Sequence, residues 1–320
     1  MKRLMVLICS LAGLAGGVFF LLTSYQEAHR RIIEQESALR TALSAESVSN
    51  WLAENMRATR TIAGMSGLSG YLLSDSPDTA PADAILDYFQ TILEAEACYL
   101  MNAEGLTVAA SNRAAPVSFL GHNYAFRPYF QEAMAGKVGL YLAVGITSNQ
   151  RGIYYSYPVR RAEGERPLGV VAVKFSPEPL EQKIRRRFKD GIVLLTGPHG
   201  IVFLTNFDAL LYHSLWQLSP EEKAALEQTQ QFGKGPWRWT GLEKRNDRCV
   251  VDPAGTQYVF FQKSVAEAPG WHVVYLQDLK RYRFPVRPDS FVARVIGGSV
   301  LIAVALNLLV FYFASKETAA

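Results

Sequence analysis

At 320 residues, 49% of them hydrophobic, the chain can bury one large core or two modest ones and is no small cross-linked scaffold. Its 33 basic residues are scattered among 29 acidic ones for a formal charge of +4, so no basic stripe for nucleic acid is present. Five histidines without ligand spacing, and the lack of any GxSxG, P-loop or HExxH, leave catalysis, cofactor and metal without a visible carrier.

Residues 1–24 are expected to form a membrane anchor. Leu4 to Leu22 is an uncharged stretch after Met1-Lys2-Arg3, about long enough to cross ~30 Å of hydrocarbon. No small-x-small pair follows it, which favours an uncleaved anchor over a signal peptide. Lys2 and Arg3 place the N-terminus in the cytoplasm and residues 23–294 outside. The cluster Lys280, Arg281, Arg283, Arg287 and Arg294 runs against that bias, although long translocated domains largely escape it.

Residues 25–80 read as a stalk. From Tyr25 to about Leu73 no proline occurs, and Ile32, Leu39, Leu43, Leu52, Met56 and Ala63 recur near a helical period. The stretch 74–83, SDSPDTAPAD, reads as a loop, and Ile85, Leu86, Phe89, Ile92 and Leu93 mark a second amphipathic helix.

Residues 81–176 and 177–290 then read as two copies of one design. The hairpin CYLMNAEGLTVAAS at 98–111 recurs as VLLTGPHGIVFLTN at 193–206, with Gly105 matching Gly200. The strand pair at 153–175 recurs at 257–278, each with an aromatic-rich strand and a valine-rich one. The expected fold is α+β, with two tandem modules of antiparallel sheet and helices, alternatively two amphipathic hairpin pairs alike by coincidence. Ser176-Pro177 looks like a helix start, SPEE at 219–222 like a capping box, and Gly233 like a stop. Cys98 and Cys249 fall in separate modules and are expected to be free and buried.

Val295 to Ala314 is a second uncharged apolar stretch, so residues 291–315 are expected to span the membrane and 316–320 to form a cytoplasmic tail. Gly13 and Gly17 form a GxxxG, and Asn307 is a polar residue inside the second span. Both suggest a homodimer or a complex with a separate signalling membrane protein.

Between 111 and 175 hydrogen-bond donors and cations collect: Arg127, Tyr129, Tyr141, Thr147, Ser148, Tyr154, Tyr155 and Lys174 among them. A half-buried pocket so rich in donors suits an anion, since Arg holds a carboxylate with two parallel bonds. Arg127, inside YAFRPYF, either waits for that anion or lies over its aromatic neighbours. Lys174 interrupts VVAVKF and either points outward, finds a partner or meets the ligand. Thr147 and Ser148 either donate to a carboxylate or cap a strand end, and Arg151 suits a surface position or a supporting one.

The run FLGHNYAFRPYFQEAMAGKVGLYLAVGITSNQRGIYYSYPV at 119–159, with SN at 111–112 and LGVVAVKF at 168–175, resembles the sensor region of C4-dicarboxylate-sensing histidine kinases, a branch of the double Cache extracytoplasmic sensors. The resemblance implies two stacked PAS-like modules on a long stalk helix, with ligand in the membrane-distal first one, in a bacterial inner membrane protein. Carried over, it assigns ligand contacts to Arg127, to Gly145, Thr147 and Ser148, to Tyr154 and Tyr155, and to Lys174. Ile146 stands where the family has a threonine, and no acid is placed for a ligand amine, which favours a carboxylate without one. With six residues after the second span, the kinase of that family is not expected in this chain. The chain reads as a stand-alone sensor of a small carboxylate, with a scaffold bearing a vestigial pocket, or a truncated sensor kinase, as the alternatives.

Overall fold

The structure, a computed structural model, describes residues 2–74, 78–279 and 291–316. Helix α1 (Lys2–Ala63) is the spine. Its buried stripe is Ile33, Ser37, Thr41, Ser44, Val48, Leu52, Asn55, Thr59 and Ile62. Most of these side chains are small or polar, so the helix can lie close against the sheets it crosses. The polar ones satisfy themselves within the helix: Thr41 Oγ1 donates to Ser37 O at 2.7 Å, Ser44 Oγ to Arg40 O at 2.8 Å, and Thr59 Oγ1 to Asn55 O at 2.9 Å. Ile32 and Leu39, taken from the sequence as part of the packing face, are 60% and 58% exposed. Leu52 and Ala63 of the same expectation are buried, and between the large side chains the stripe runs through small residues that a search for large apolar ones passes over.

The expected single helix to Leu73 instead breaks after Ala63. Met65 is extended, and α2 (Ser66–Leu73) starts anew. α2 then lies against α3 (Ala80–Ile92), so closely that a Cβ at Gly67 would lie 2.6 Å from Ile85 Cδ1. α3 begins inside the stretch expected to be loop, with Pro81 in its first turn, where a missing N–H costs nothing.

The first sheet contains β1 (Ala97–Asn102), β2 (Thr107–Ala110), β3 (Gly139–Val144), β4 (Arg151–Val159) and β5 (Gly169–Phe175), all antiparallel in the order β2-β1-β5-β4-β3. Helix α4 (Pro128–Met134) packs on β3 and β4. One face, with Leu100, Val171, Val173 and Phe175, packs on α1 at Val48 and Leu52, and the other carries the aromatic cluster described below.

After α5 (Glu178–Arg187) the second sheet repeats the plan with β6 (Ile192–Thr196), β7 (Val202–Thr205), β8 (Glu243–Asn246), β9 (Cys249–Val251), β10 (Gln257–Ser264) and β11 (His272–Asp278), in the order β7-β6-β11-β10-β9-β8. The repeat extends to detail. Both hairpins shift register, at Leu100/Met101 and at Leu195/Thr196, and Gly105 and Gly200 both have positive φ, 81° and 71°. Helix α6 (Pro220–Thr229) starts with the expected capping box, Ser219 N donating to Glu222 Oε2 at 2.8 Å and Glu222 N to Ser219 Oγ at 3.2 Å. It ends at Gln230 in the left-handed region rather than at Gly233. The residue after it ties the modules together, for Gln231 O accepts from Val144 N and Gln231 Nε2 donates to Leu142 O, both at 2.8 Å.

Helix α7 (Phe291–Lys316) runs beside α1. Among the described residues no helix is long and apolar enough to cross a membrane, and the side chains of residues 4–12, 14, 15 and 22 and of 295, 296 and 310–314 lie outside them. Asn307, expected to bond across a helix interface, donates to Ala303 O of its own helix at 2.8 Å. Cys98 and Cys249 are buried and free, while the side chain of Cys9 lies outside the described residues.

Candidate functional site

Strand alternation decides what the second face of the first sheet presents. Register places Lys174 on β5 between Ala97 of β1 and Tyr154 of β4, and Tyr99 follows Ala97 on the same face. Tyr154 stacks on Tyr129 of α4, with ring centroids 5.4 Å apart and planes 3° from parallel. Tyr129 also receives a 2.9 Å hydrogen bond from Tyr99, and its carbonyl accepts from Ser156 Oγ at 2.7 Å, which fixes α4 to the sheet. Tyr124 and Thr147 share a 2.9 Å hydrogen bond across the mouth. Burial pushes the phenols of Tyr99, Tyr124, Tyr129, Tyr141 and Tyr154 up, so at neutral pH all of them are O–H donors rather than anions.

Tyr99, Phe119, Tyr124, Tyr129 and Tyr154 enclose a cleft of about 230 Å³ of empty volume, mouth included, with Arg127, Gly145, Ile146, Thr147 and Ser148 completing its lining. The turn from Gly145 to Gln150 is closed by Gly145 N to Gln150 O at 2.8 Å and Asn149 N to Gly145 O at 2.7 Å. Gly145 is required there, since a Cβ would lie 2.6 Å from both Ser148 Oγ and Tyr154 Oη.

Arg127 is 4% exposed. Its guanidinium donates to Val144 O at 3.4 Å and lies 5.5 Å from the Phe126 ring centroid and 5.8 Å from that of Tyr141. Among the described residues no ion pair includes it. Both sequence alternatives therefore hold in part: the arginine rests against rings and still lacks a counter-charge. Lys174, 1% exposed, lies on the cleft side of the sheet behind Ser148 and is not itself among the residues lining the cleft. It donates to Ser148 Oγ at 3.1 Å and pairs with Glu96, an acid that sequence reasoning did not bring to the site.

The placement of Tyr155 is a correction. Alternation turns it to the opposite face, where it packs edge-on against Trp51 and Phe175 beneath α1. Tyr154 and Tyr155 are adjacent in sequence and cannot share a face of one strand. Tyr141 stays near the cleft through its contact with Arg127 and Tyr129. Tyr99, Phe119 and Tyr124 line the cleft although the sequence did not mark them; only the pairing of β1 with β5 reveals Tyr99.

The second module lacks this chemistry at the matching positions. At the positions of Lys174, Ala97 and Tyr154 its register places Leu276, Ile192 and Phe260, and that face is an apolar cluster with Leu194, Val202, Val250 and Val274. A wider cleft lies between the base of α1 and β8 to β10, lined by Tyr25, His29, Arg30 and Arg245, and ends at Leu279 beside residues outside the description. Among the described residues no group of histidine, cysteine or acidic side chains could hold a metal ion.

A long helix carrying two tandem antiparallel sheets, one of which holds a buried cationic cleft, defines a tandem α+β module. Residues 24–283 match the dCache_1 family, described as a Cache domain, and the chain belongs to that family. It is 30% identical over 283 residues to the C4-dicarboxylate transport sensor protein DctB of Rhizobium meliloti, covering 85% of this chain and 41% of that protein. The protein of the same name from Pseudomonas aeruginosa is 35% identical over 129 residues, 40% of this chain and 20% of that one. The chain thus spans less than half the length of these curated relatives. Among solved structures, the sensor domain of the Vibrio cholerae histidine kinase DctB superposes with a TM-score of 0.68 at 28% identity, covering 80% of this chain and 98% of that domain. The ligand-binding domain of the Pseudomonas fluorescens chemoreceptor CtaA, in complex with L-leucine, shares the fold with a TM-score of 0.57 at 16% identity, over 80% of this chain and 98% of that one.

Proposed function

We propose that the chain is a membrane-anchored extracytoplasmic sensor that binds a small carboxylate, specifically a C4-dicarboxylate, in its first module. The observation that carries this reading is Arg127: a guanidinium 4% exposed with no carboxylate partner among the described residues. A cation buried in that way is costly until an anion joins it. One carboxylate would take Arg127 in a two-bond clamp, with hydroxyl donors from Thr147, Ser148, Tyr129 and Tyr154, and the second would reach Lys174. The similarity to C4-dicarboxylate transport sensor proteins supports the dicarboxylate class.

In this reading residues 81–176 are the membrane-distal ligand module, 177–290 the proximal one and 25–80 the stalk, with Leu4–Leu22 and Val295–Ala314 as spans. Ligand shifts the module between two states only through its different affinity for each. Admission of a dicarboxylate has to part the Gly145–Gln150 turn from Tyr124, because the cleft is narrow as it stands. That turn is continuous with Val144, which Gln231 of the second module holds, so opening reaches the proximal module and through it α1. A homodimer, or a partner inside the membrane, then receives the signal.

The narrowness of the cleft favours one competing reading, a scaffold with a vestigial pocket. A thermal-shift panel of succinate, malate, fumarate, acetate and amino acids separates them, run on wild type and Arg127→Ala. Ligand at ~100 times its dissociation constant adds about 2.7 kcal/mol. Stabilisation of wild type alone by a dicarboxylate supports the sensor; no response across the panel supports the scaffold.

A further inference from the structure

We propose that Glu96 sets the selectivity of the pocket, as a resident carboxylate that a dicarboxylate must displace from Lys174 and a monocarboxylate need not. The inference rests on the carboxylate-sensor reading above and adds to it which anions that site prefers. Glu96 directly precedes β1, and its backbone N donates to Lys174 O at 2.8 Å, so its main chain is fixed beside the lysine. Its side chain pairs with Lys174 yet is 28% exposed, against 2% for that of the lysine. It borders the groove between the modules, with Asn149, Gln150 and Arg151, and not the cleft itself. Lys174 is thus held from two sides, by Ser148 on the cleft side at 3.1 Å and by Glu96 on the groove side. Rotation of the Glu96 side chain into the groove would free the ammonium without moving either strand.

The charges decide what the cleft accepts. Arg127 and Lys174 contribute two positive charges, Glu96 removes one, and the residues lining the cleft include no acid. A monocarboxylate on Arg127 leaves the site neutral with Glu96 in place. A dianion brings its second carboxylate to a lysine already occupied, and repulsion between the two carboxylates opposes it until Glu96 turns away. Glu96 therefore lowers affinity for dicarboxylates more than for monocarboxylates, and its loss changes the ratio of the two.

The test is the affinity of the full chain in lipid nanodiscs for succinate and for butyrate, measured by calorimetric titration on wild type, Glu96→Gln and Glu96→Asp. Glutamine keeps an acceptor for the Lys174 ammonium while removing the charge, and aspartate draws the charge back by one methylene. Glu96→Gln is expected to raise the succinate to butyrate affinity ratio by about ten-fold, and Glu96→Asp to raise it less. Aspartate also provides the reading if the glutamine variant does not fold. A ratio unchanged or lowered in both variants, with succinate still bound, overturns the role of Glu96 and leaves the sensor standing. Binding of neither acid by wild type or variants overturns both.

Discussion

Arg151 grips Glu181 with both arms, Nη1 to Oε1 at 2.6 Å and Nη2 to Oε2 at 3.0 Å, and thereby joins the strand that carries Tyr154 to the helix that opens the second module. The same Nη1 donates to Phe203 O on β7 at 2.8 Å. The pair is largely buried, the side chains being 17% and 5% exposed. Removing one partner of such a pair strands the other, which costs about 3–5 kcal/mol. Arg151→Ala should lose stability of that order in denaturant unfolding, and Arg151→Met with Glu181→Leu together should recover most of it. A loss below about 1 kcal/mol for Arg151→Ala would show that the pair ties nothing.

Gly145 offers a way to close the cleft without touching a charge. Its φ is not in the left-handed region, so alanine meets no backbone penalty, but the new methyl would meet Ser148 Oγ and Tyr154 Oη at 2.6 Å. Gly145→Ala should retain the circular dichroism spectrum and lose the ligand-induced thermal shift. Full retention of that shift would place the ligand elsewhere.

Leu52 is fully buried where α1 crosses the first sheet, in one cluster with Val173 and Phe175. Leu52→Ala is expected to cost about 2–5 kcal/mol in denaturant unfolding, whereas Leu39→Ala, at a site 58% exposed, should stay within about 0.5 kcal/mol. Equal costs would contradict the packing face assigned to the helix.

The Arg113 guanidinium donates to both oxygens of Asp87, at 2.7 and 2.8 Å, and holds that carboxyl below the usual carboxylate range. A carboxyl whose folded value is depressed stabilises the protein above its unfolded value, near ~3.9, and that contribution fades as pH falls through the folded value. Asp87→Asn should therefore be less stable than wild type at pH 7 and equal to it near pH 2, measured by thermal melts. A constant difference across that range would rule out the linkage. The pair is solvent-accessible, so the difference will be small and will shrink in high salt.

Burial, with a smaller contribution from Asp87, pushes the Cys98 thiol up to about 12. The thiolate is the reactive form, so a chromogenic disulfide reagent at pH 8 should leave Cys98 untouched in the folded chain and label it at once in denaturant. Prompt labelling of the native protein at Cys98 would mean the sheet opens there.

The strands, their repeat and the capping box at Ser219 were legible because each rests on a local signal: alternation, a turn glycine, a three-residue spacing. The face of α1 was legible only in part, at Leu52 and Ala63, because Ser37, Thr41, Ser44 and Thr59 pack as small residues, and the hydroxyls of Thr41, Ser44 and Thr59 are satisfied within the helix. At the site the structure brings Arg127, Gly145, Ser148 and Tyr154 around one cleft, with Lys174 bonded to Ser148 beside it. Tyr155 shows the limit of a motif carried over whole, since neighbouring residues of a strand face opposite ways. Glu96 and Tyr99 depend on which strand lies beside β5, a long-range pairing that no local pattern encodes.

Whether Arg127 waits for a carboxylate is tested most directly by an equilibrium titration of succinate into the full chain in nanodiscs, beside Arg127→Ala. Saturable binding to wild type at one site per chain, and none to the variant, is the expected result. Equal binding to both, or binding to neither, would contradict it.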